Sequence, residues 1–290
     1  MLRPTLLEGG GKSLAKTPRE PIKKSLRQPW RAARAPSISH PLCPFGVLFD
    51  DPVRKPRFQT VNSAQALLQV SGLKKSFLVP DGGRRTIIDI ADFSLATGEH
   101  VAIRGESGSG KTTFLNLISG ILAPDEGSIL VGGSDMAALS EQRRDRLRAS
   151  SIGYIFQTFN LLQGYSCLEN VMLGMTFGAH ADRGRALALL ERVGLSQRLD
   201  HFPRQLSSGQ QQRVAVARAL AKRPKLVLAD EPTGNLDHVN AREALGLIRE
   251  ACLENGAALL LVSHDPEVLG GFQNVRDFAD LNQGLTGGAP

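Results

Sequence analysis

The sequence predicts an α/β fold that is built on parallel strands and carries a helical insertion, and three observations predict this class. Two short apolar runs, residues 225–232 and 258–264, end in polar side chains, as buried strands of parallel sheets often do. A glycine-rich stretch joins the strand-like run 100–103 to an apolar helical run at 114–118. Between residues 161 and 220, apolar side chains recur at helical spacing, which indicates inserted helices.

The glycine-rich stretch has the spacing of a phosphate-binding loop. Gly105, four further residues and then Gly110, Lys111 and Thr112 form a turn whose backbone N–H groups point at phosphate oxygens. Glycines allow positive φ and close approach, and the N-terminus of the following helix favours an anion. A flexible linker is the alternative, but a linker would not place Lys111 and Thr112 at the start of an apolar helix. The loop is therefore predicted to bind nucleotide phosphates.

The composition limits the other possibilities. The 290 residues are 41% hydrophobic, which is enough for one large domain or two smaller ones. No apolar run approaches the about 18 residues of a membrane span, and the N-terminus lacks the apolar stretch of a secretory signal. We therefore expect any membrane role to be peripheral. Cys43, Cys167 and Cys252 lie far apart without metal-type spacing, as expected in a reducing compartment.

The positive charge is concentrated at the N-terminus. Residues 1–58 hold 12 Lys and Arg against 4 Asp and Glu, a net charge of +8, which leaves −1 for the remainder. Nine of the sixteen prolines lie in the same part, where they interrupt helices and strands. We expect a disordered basic extension at 1–62 and a folded domain at 63–290. The extension is interpreted as a tether to anionic lipid or nucleic acid, as a dispensable extension, or as the product of a wrongly chosen upstream start codon.

Strand-like runs also lie on both sides of the phosphate loop. Residues 66–70, 86–90 and 128–131 have β-like composition, and turn-forming residues at 80–83 separate the first two runs. Phe77 precedes this turn. It is predicted either to stack on a nucleotide base or to pack in a β core, and the sequence leaves both interpretations open.

The second half of the chain alternates polar, strand-like and helical segments. Residues 141–148 are too polar for a core helix and are predicted to form a solvated face. A strand at 151–156 then places Gln157 at its end. The helical subdomain is predicted at about 160–222, and a further strand is expected after Phe272.

Two adjacent acids follow the apolar run that starts at residue 225. Phosphoryl transfer to water needs phosphate positioning, a metal that neutralises charge and a group that orients or activates the water. Lys111 can reach the β- and γ-phosphates, while the Thr112 hydroxyl and Asp230 can hold Mg²⁺. Glu231 points differently from Asp230 and can act as general base or position the water. A helix-capping pair is the alternative, but it does not explain acids placed directly after a buried strand.

A further motif makes the chain resemble a known superfamily. Residues 206–215, Leu-Ser-Ser-Gly-Gln followed by Gln-Gln-Arg-Val-Ala, resemble the signature motif of ATP-binding-cassette (ABC) ATPases. The resemblance covers about residues 66–285. The remaining motifs stand in that family's order and are the phosphate loop, Gln157, Asp230 with Glu231, residues 235–237, and His264.

The resemblance implies a fold, two ligands and a set of site residues. The fold is that of a P-loop NTPase with a mixed, mainly parallel core sheet, an antiparallel β-subdomain and an inserted α-helical subdomain. The ligands are ATP and Mg²⁺. The implied ATP-binding residues are Phe77, Gly105, Glu106, Ser107, Gly108, Ser109, Gly110, Lys111, Thr112 and Thr113. The implied catalytic residues are Glu231, His264, Gln157 and Lys111, and the implied metal ligands are Thr112, Gln157 and Asp230.

The resemblance also implies a head-to-tail homodimer with two ATP molecules between the copies. His264 would contact the γ-phosphate, and Asp237 would communicate between the two sites. Helix N-termini favour anions, so a signature motif at such a terminus is physically reasonable for this contact. The signature residues that would contact the ATP of the second subunit are Ser207, Ser208, Gly209 and Gln210.

Residues 156–162 and 229–237 resemble the branch that serves lipoprotein release and macrolide export. Two positions and one segment depart from the usual pattern of the family. Ser208 stands where a second glycine is usual, and Gln163 stands where proline is common. Residues 278–284 are a loose version of the usual closing hairpin.

The implied function is that of an ATP-hydrolysing subunit that drives separate transmembrane permease subunits from the cytoplasmic face of the inner membrane. No nucleic acid partner is expected. One alternative is a non-transport ABC ATPase acting on nucleic acid or the ribosome, but such factors usually carry two cassettes or a long coiled-coil insertion. Another is an ATPase degraded to a regulatory module, against which the intact Lys111, Asp230, Glu231 and His264 argue.

Overall fold

The protein was analysed as a computed structural model, which describes residues 66–80, 82–176 and 181–284. The predicted basic extension at 1–62 lies outside these residues. The strands are β1 Ala66–Leu78, β2 Arg84–Ala96, β3 His100–Arg104, β4 Glu126–Val131, β5 Ser134–Asp135, β6 Ile152–Ile155, β7 Leu226–Asp230, β8 Ala258–Ser263 and β9 Asn274–Asp277. The helices are α1 Lys111–Ile118, α2 Glu141–Ser151, α3 Cys167–Thr176, α4 Arg183–Arg192, α5 Ser208–Leu220, α6 His238–Asn255, α7 Pro266–Leu269 and α8 Phe278–Leu281, with 3-10 turns at Ser196–Arg198 and Pro203–Gln205.

The core sheet has the strand order β6-β7-β8-β3-β9, and each of its described pairings is parallel. Strand β8 is buried along its whole length. Its side chains alternate between two apolar layers, because Leu260 and Val262 face one cluster while Leu259 and Leu261 face another. This two-sided burial explains why the sequence shows a continuous apolar run instead of alternation. The predicted α/β class is confirmed.

A second sheet is antiparallel, with the order β2-β1-β4-β5. Strands β1 and β2 pair over most of their length, and between them the Gly82 amide donates to Val79 O at 2.9 Å. Phe93 of this sheet packs edge-on against Phe114 of α1, with ring centroids 5.5 Å apart. The antiparallel subdomain therefore lies over α1 and the loop that precedes it.

The inserted helices α3, α4 and α5 surround an apolar cluster of their own, which includes Val171, Leu190 and Val214. These helices lie between Cys167 and Leu220, and the bounds of about 160–222 for a helical subdomain stay a prediction. Helix α2 has no buried residue, in agreement with the solvated face predicted at 141–148. The opposite face of α5 packs with α6 on the core sheet. Helix α5 therefore contributes side chains both to the apolar cluster of the inserted helices and to one cluster of the core sheet.

The C-terminal part differs from the expected loose hairpin. After β9 the chain forms the short helix α8, because the Asp277 side chain caps it by accepting from the Ala279 amide at 3.1 Å. Phe278 of this helix is 1% exposed and packs against Phe114, with ring centroids 5.9 Å apart. The segment therefore folds back toward the glycine-rich loop.

Candidate active site

Three neighbouring strands of the core sheet end at one level. Ile103 of β3 and Asp230 of β7 both pair with Val262 of β8, which lies between them. The residues that follow these strand ends are the phosphate loop, Glu231 and His264. Parallel strands place their carboxyl ends at the same edge of a sheet, and ligands of such sheets bind there. The register thus gathers side chains that lie far apart in the sequence.

The phosphate loop has the backbone that its glycines were predicted to allow. Gly108 has φ 80° and Gly110 has φ 99°, and Gly110 is the N-cap of α1. A Cβ atom on Gly110 would lie only 3.1 Å from Ile87 Cγ2, so the loop packs closely on β2. The Lys111 ammonium donates to Gly105 O and Glu106 O at 2.7 Å each. The Lys111 side chain therefore spans the loop, and its ammonium group contacts the backbone at the start of the loop.

Thr112 and Asp230 supply hard oxygen atoms at one point of the site. The Thr112 hydroxyl donates to Asp230 Oδ1 at 3.1 Å. Asp230 is 5% exposed, and burial raises the pKa of its carboxyl group above the usual value. Oxygen ligands of this kind are those that Mg²⁺ prefers, and a buried carboxylate without a full cationic partner is suited to a cation. These two residues fit the expected metal.

Glu231 is held by three neighbours. Its Oε2 accepts from the Ser263 hydroxyl at 3.1 Å, its Oε1 lies 2.9 Å from His264 Nδ1, and the Lys111 ammonium is 3.7 Å from Oε1. The backbone at Glu231 has φ 42°, an uncommon value for a non-glycine residue. Its amide donates to Val262 O at 3.0 Å, which helps to keep this conformation in place. The carboxylate is thereby directed at the phosphate loop.

A cavity of about 550 Å³ opens beside the loop. Its lining includes Glu106 and Ser109 of the loop and His264 from the end of β8. Residues of the C-terminal segment, among them Asp277 and Asn282, form the other wall. The His264 side chain is 62% exposed, so the imidazole can meet a ligand in this space.

Gln157 follows β6, as predicted, and its side chain is exposed. Two contacts fix the loop around it. Asn235 Nδ2 donates to Gln157 O at 2.7 Å, and the guanidinium of Arg218 donates to Phe159 O at 2.7 Å. Phe159 has φ 58°, so the arginine stabilises a left-handed turn that would otherwise be unfavourable. The loop of Gln157 is thus tied to α5 and to the segment after β7.

The signature motif caps α5. The Ser207 hydroxyl accepts from the Gln210 amide at 3.3 Å, and the Gln210 side chain accepts from the Ser207 amide at 3.1 Å. Ser207 and Ser208 are exposed at this helix N-terminus. Among the described residues, no hydrogen bond joins the motif to the phosphate loop. Within one copy of the chain the two motifs therefore remain separate.

Gly209 makes the closest contact of the signature motif. A Cβ atom at Gly209 would lie 2.5 Å from Asn240 Oδ1, so only glycine fits without a shift. Asn240 in turn donates through Nδ2 to Asp237 Oδ2 at 2.6 Å, and Asp237 caps α6. The signature and the predicted inter-site residue Asp237 are thus connected through one side chain.

Phe77 is 39% exposed on β1, and the Lys75 ammonium lies 5.8 Å from its ring centroid. The alternative that it packs in a β core does not agree with this exposure. Base stacking by Phe77 stays a prediction.

Sequence reasoning missed two residues that the structure adds to the site. Ser263 is fully buried and orients Glu231, and its only signal was its place one residue before His264. Asn240 follows the predicted residue Asp237 by three positions, but its contact with Gly209 joins two different helices and gives no signal in the sequence. Neither residue belongs to a recognisable pattern.

The fold and the site together define a nucleotide-phosphate-binding α/β protein with a candidate hydrolytic carboxylate. Among the described residues, no helix is both long and apolar enough to cross a membrane. Comparison with known proteins identifies the class further. Residues 88–234 match the sequence model of the family described as ABC transporter, and the chain belongs to this family.

Two relatives and one solved structure illustrate the similarity. The lipoprotein-releasing system ATP-binding protein LolD of Xanthomonas oryzae pv. oryzae (strain MAFF 311018) is 43% identical over 217 residues, which are 73% of this chain and 88% of LolD. The macrolide export ATP-binding/permease protein MacB of Rhodopirellula baltica is 44% identical over 207 residues, 70% of this chain but only 30% of MacB. The dimeric post-hydrolysis structure of the ATP-binding cassette MJ0796 bound to ADP and Pi has a TM-score of 0.68 and 33% identity, and the match covers 75% of this chain and 95% of that one.

These matches confirm the predicted family and fold. The chain is an ATP-hydrolysing, nucleotide-binding subunit of an ABC transporter.

Proposed function

We propose that two copies of this chain close head to tail on two Mg²⁺-ATP and thereby drive separate permease subunits of the lipoprotein-release or export type. The proposal of ATP hydrolysis rests on the position of Glu231. Its carboxylate lies beside Lys111 and is fixed by Ser263 and His264. A carboxylate held in this way can orient a water molecule and accept its proton.

The proposed roles follow from the contacts of each group. Lys111 and the loop amides of 105–113 bind the β- and γ-phosphates, and Lys111 exchanges its contacts with Gly105 O and Glu106 O for phosphate oxygens. Thr112 and Asp230 hold Mg²⁺, which neutralises charge on the phosphates when bound, and Gln157 completes this set. His264 contacts the γ-phosphate from the cavity wall.

A second copy is proposed because the signature motif and the phosphate loop of one copy are not joined by any described hydrogen bond. Ser207, Ser208, Gly209 and Gln210 lie at the N-terminus of α5, where Ser207 and Ser208 are exposed. Such a terminus favours an anion. The MJ0796 cassette, which is similar to this chain, forms a dimer, which supports the same arrangement here.

The permease is proposed to meet the surface next to Gln157. Leu162 and Tyr165 are 48% and 44% exposed there, and they flank Gln163. Exposed apolar side chains of this kind are typical of protein contacts. LolD and MacB are named for lipoprotein release and macrolide export, and MacB is named a permease, which supports peripheral association with a membrane. We place this chain at the cytoplasmic face of the inner membrane. A nucleic acid partner is not supported, because residues 59–290 carry a net charge of −1.

The variant Glu231→Gln tests the proposed function. We expect ATP binding to persist and an ATP-bound dimer to accumulate, while hydrolysis falls by about a thousandfold, since the amide cannot accept a proton. Phosphate release and size-exclusion chromatography with ATP measure the two effects.

The matched control is Glu141→Gln, which changes an exposed glutamate on α2. This variant should hydrolyse ATP at the wild-type rate and show no ATP-bound dimer in excess of wild type. Turnover by Glu231→Gln at the rate of this control would remove Glu231 from its proposed role.

A further inference from the structure

The C-terminal segment, residues 277–284, contacts the entrance of the phosphate loop directly and supports the far end of the loop through β2. At the first end, Arg104 donates to Asp277 Oδ2 through Nε at 3.1 Å and through a terminal nitrogen at 2.7 Å. A Cβ atom on the adjacent Gly105 would lie 3.1 Å from Phe278 Cβ. The backbone that enters the loop is therefore packed directly on α8.

At the other end, the segment acts through β2. Asn282 is 4% exposed, and its side chain uses both of its functional groups. Its Oδ1 accepts from the Asp89 amide at 2.8 Å, and its Nδ2 donates to Ile87 O at 2.9 Å. The Gln283 amide adds a bond to Asp89 O at 2.9 Å. These bonds hold the outer edge of β2, which is the last strand of its sheet.

The part of β2 that Asn282 holds is also the part that supports Gly110. A Cβ atom on Gly110 would lie 3.1 Å from Ile87 Cγ2, 3.2 Å from Ile88 Cδ1 and 3.3 Å from Ile87 O. A shift of Ile87 therefore changes the position of the loop residue that begins α1. Because protein interiors are close-packed, such a shift is transmitted and not absorbed.

We propose that residues 277–284 position the phosphate loop and that Asn282 is the central positioning residue for nucleotide binding. The inference rests on the proposed function, since it assigns the segment to the same ATP site. Asn282 does not touch the phosphates itself. It fixes the edge of β2 on one side of the loop, while Phe278 and Asp277 fix the entrance of the loop on the other side.

The segment has chemistry that suits this task. An asparagine side chain presents one donor and one acceptor, as a peptide group does, so it can continue the pairing of an edge strand. A buried side chain that loses such bonds leaves Ile87 O and the Asp89 amide without partners, which is costly. The segment thus resists small movements of β2 more strongly than apolar contact alone would.

The test uses the full chain and two substitutions of Asn282. We expect Asn282→Ala to bind Mg²⁺-ATP about tenfold more weakly by calorimetry, while kcat at saturating ATP stays within about twofold. Amide hydrogen exchange of residues 105–113 should become faster, while that of the helical subdomain stays unchanged. The matched control is Asp280→Asn on the exposed face of α8, which should show none of these changes.

The variant Asn282→Asp keeps the size of the side chain and guards against a loss of folding in the alanine variant. An ionised carboxylate cannot donate to Ile87 O, whereas a protonated one can, and burial raises the pKa of such an acid. We expect the ratio of its ATP affinity to that of wild type to improve as the pH falls from about 8 to about 6.

Three outcomes separate the inference from the proposed function. If wild type fails to bind Mg²⁺-ATP, the proposed function and this inference are both wrong. If wild type binds but both Asn282 variants bind equally well, with a lower melting temperature only, the segment is merely structural and the inference alone is wrong. An affinity loss in both variants without faster exchange at 105–113 also contradicts positioning of the loop.

Discussion

At the scale of single residues, the two adjacent acids have different surroundings that suit different tasks. Asp230 has one hydroxyl donor, from Thr112, and burial raises the pKa of its carboxyl group. Glu231 instead receives contacts from Ser263 and His264. The first carboxylate is thus suited to a metal and the second to a water molecule.

Replacement of Asp230 by Asn is expected to stabilise the protein without ligands and to remove its response to magnesium. Since the ionised carboxylate is buried, a neutral amide should raise the melting temperature by about 3 °C in a chelating buffer. Addition of Mg²⁺-ATP should raise the melting temperature of wild type far more than that of Asp230→Asn. Thermal unfolding with and without Mg²⁺-ATP measures both effects.

Burial of Asp230 also predicts how the stability of the protein changes with pH. Folding raises the pKa of Asp230, so the protonated carboxyl group contributes to the free energy of unfolding at a pH below its pKa in the unfolded chain. This contribution is lost as the pH rises through its pKa in the folded protein. The stability difference between Asp230→Asn and wild type should therefore shrink as the pH is lowered toward about 4. Asp280→Asn is the exposed control, and an equal stabilisation in that variant would contradict the role of burial.

Much of this site could be predicted because its residues stand at the ends of apolar runs. Asp230, Glu231 and His264 were predicted in this way, whereas Lys111 was predicted from the spacing of the phosphate loop. The parallel register brings the four residues together. Ser263 could not be found, because its contact depends on the left-handed backbone at Glu231, which no sequence pattern indicates.

At the scale of elements, α5 and α6 approach each other closely at the signature motif. Gly209 is buried there against Asn240, which also bonds to Asp237. A change in the position of α5 is therefore passed on to the N-terminus of α6. This contact gives Gly209 a packing role in addition to its proposed contact with ATP.

Replacement of Gly209 by Ala is expected to separate the two helices locally. The new Cβ atom would lie 2.5 Å from Asn240 Oδ1, so one helix or the Asn240 side chain must move. We expect ATP-driven dimerisation and kcat to fall by about tenfold or more, while the ATP affinity of the single copy stays within about twofold. Analytical ultracentrifugation and calorimetry measure these quantities.

The chain offers a matched control in Gly246 of α6, where an added Cβ atom would meet nothing within 4 Å. Gly246→Ala should leave dimerisation and kcat unchanged and should slightly increase stability, because alanine favours helices. If Gly209→Ala behaved like Gly246→Ala, the close contact between Gly209 and Asn240 would have no role in dimerisation or turnover.

The elements themselves were predictable to different degrees. The inserted helices follow from apolar residues at helical spacing, whereas β7 and β8 follow from continuous apolar runs, because both strands are buried along their whole length. Helix α8 was expected as a loose hairpin, because four residues are too few for a periodic signal and the deciding contact is the cap at Asp277.

At the scale of the whole molecule, charge and function are divided along the chain. Residues 1–58 carry a net charge of +8, whereas the candidate site residues all lie in the unit Phe58–Pro290. The described hydrogen bonds of the site join residues of this unit to one another. We therefore expect the proposed ATPase to function without the basic part.

Deletion of residues 1–58 is expected to leave the ATPase intact. Because every residue implied for the ATP site lies after residue 58, kcat and KM should stay within about twofold of the full chain. Steady-state hydrolysis and thermal unfolding of the two forms measure the effect. Loss of activity or of cooperative unfolding in the shortened form would show that the extension is structural.

Strand β8 gives the molecule an evolutionary constraint that its loops do not share. It pairs with β3 on one side and β7 on the other, so it aligns the phosphate loop and Glu231 at the same edge of the sheet. Inserting one residue into Ala258–Ser263 would shift its pairing and turn each later side chain to the opposite layer. Lineages that descend from this chain can thus lengthen its surface connections, whereas the length of β8 should remain constant among active descendants.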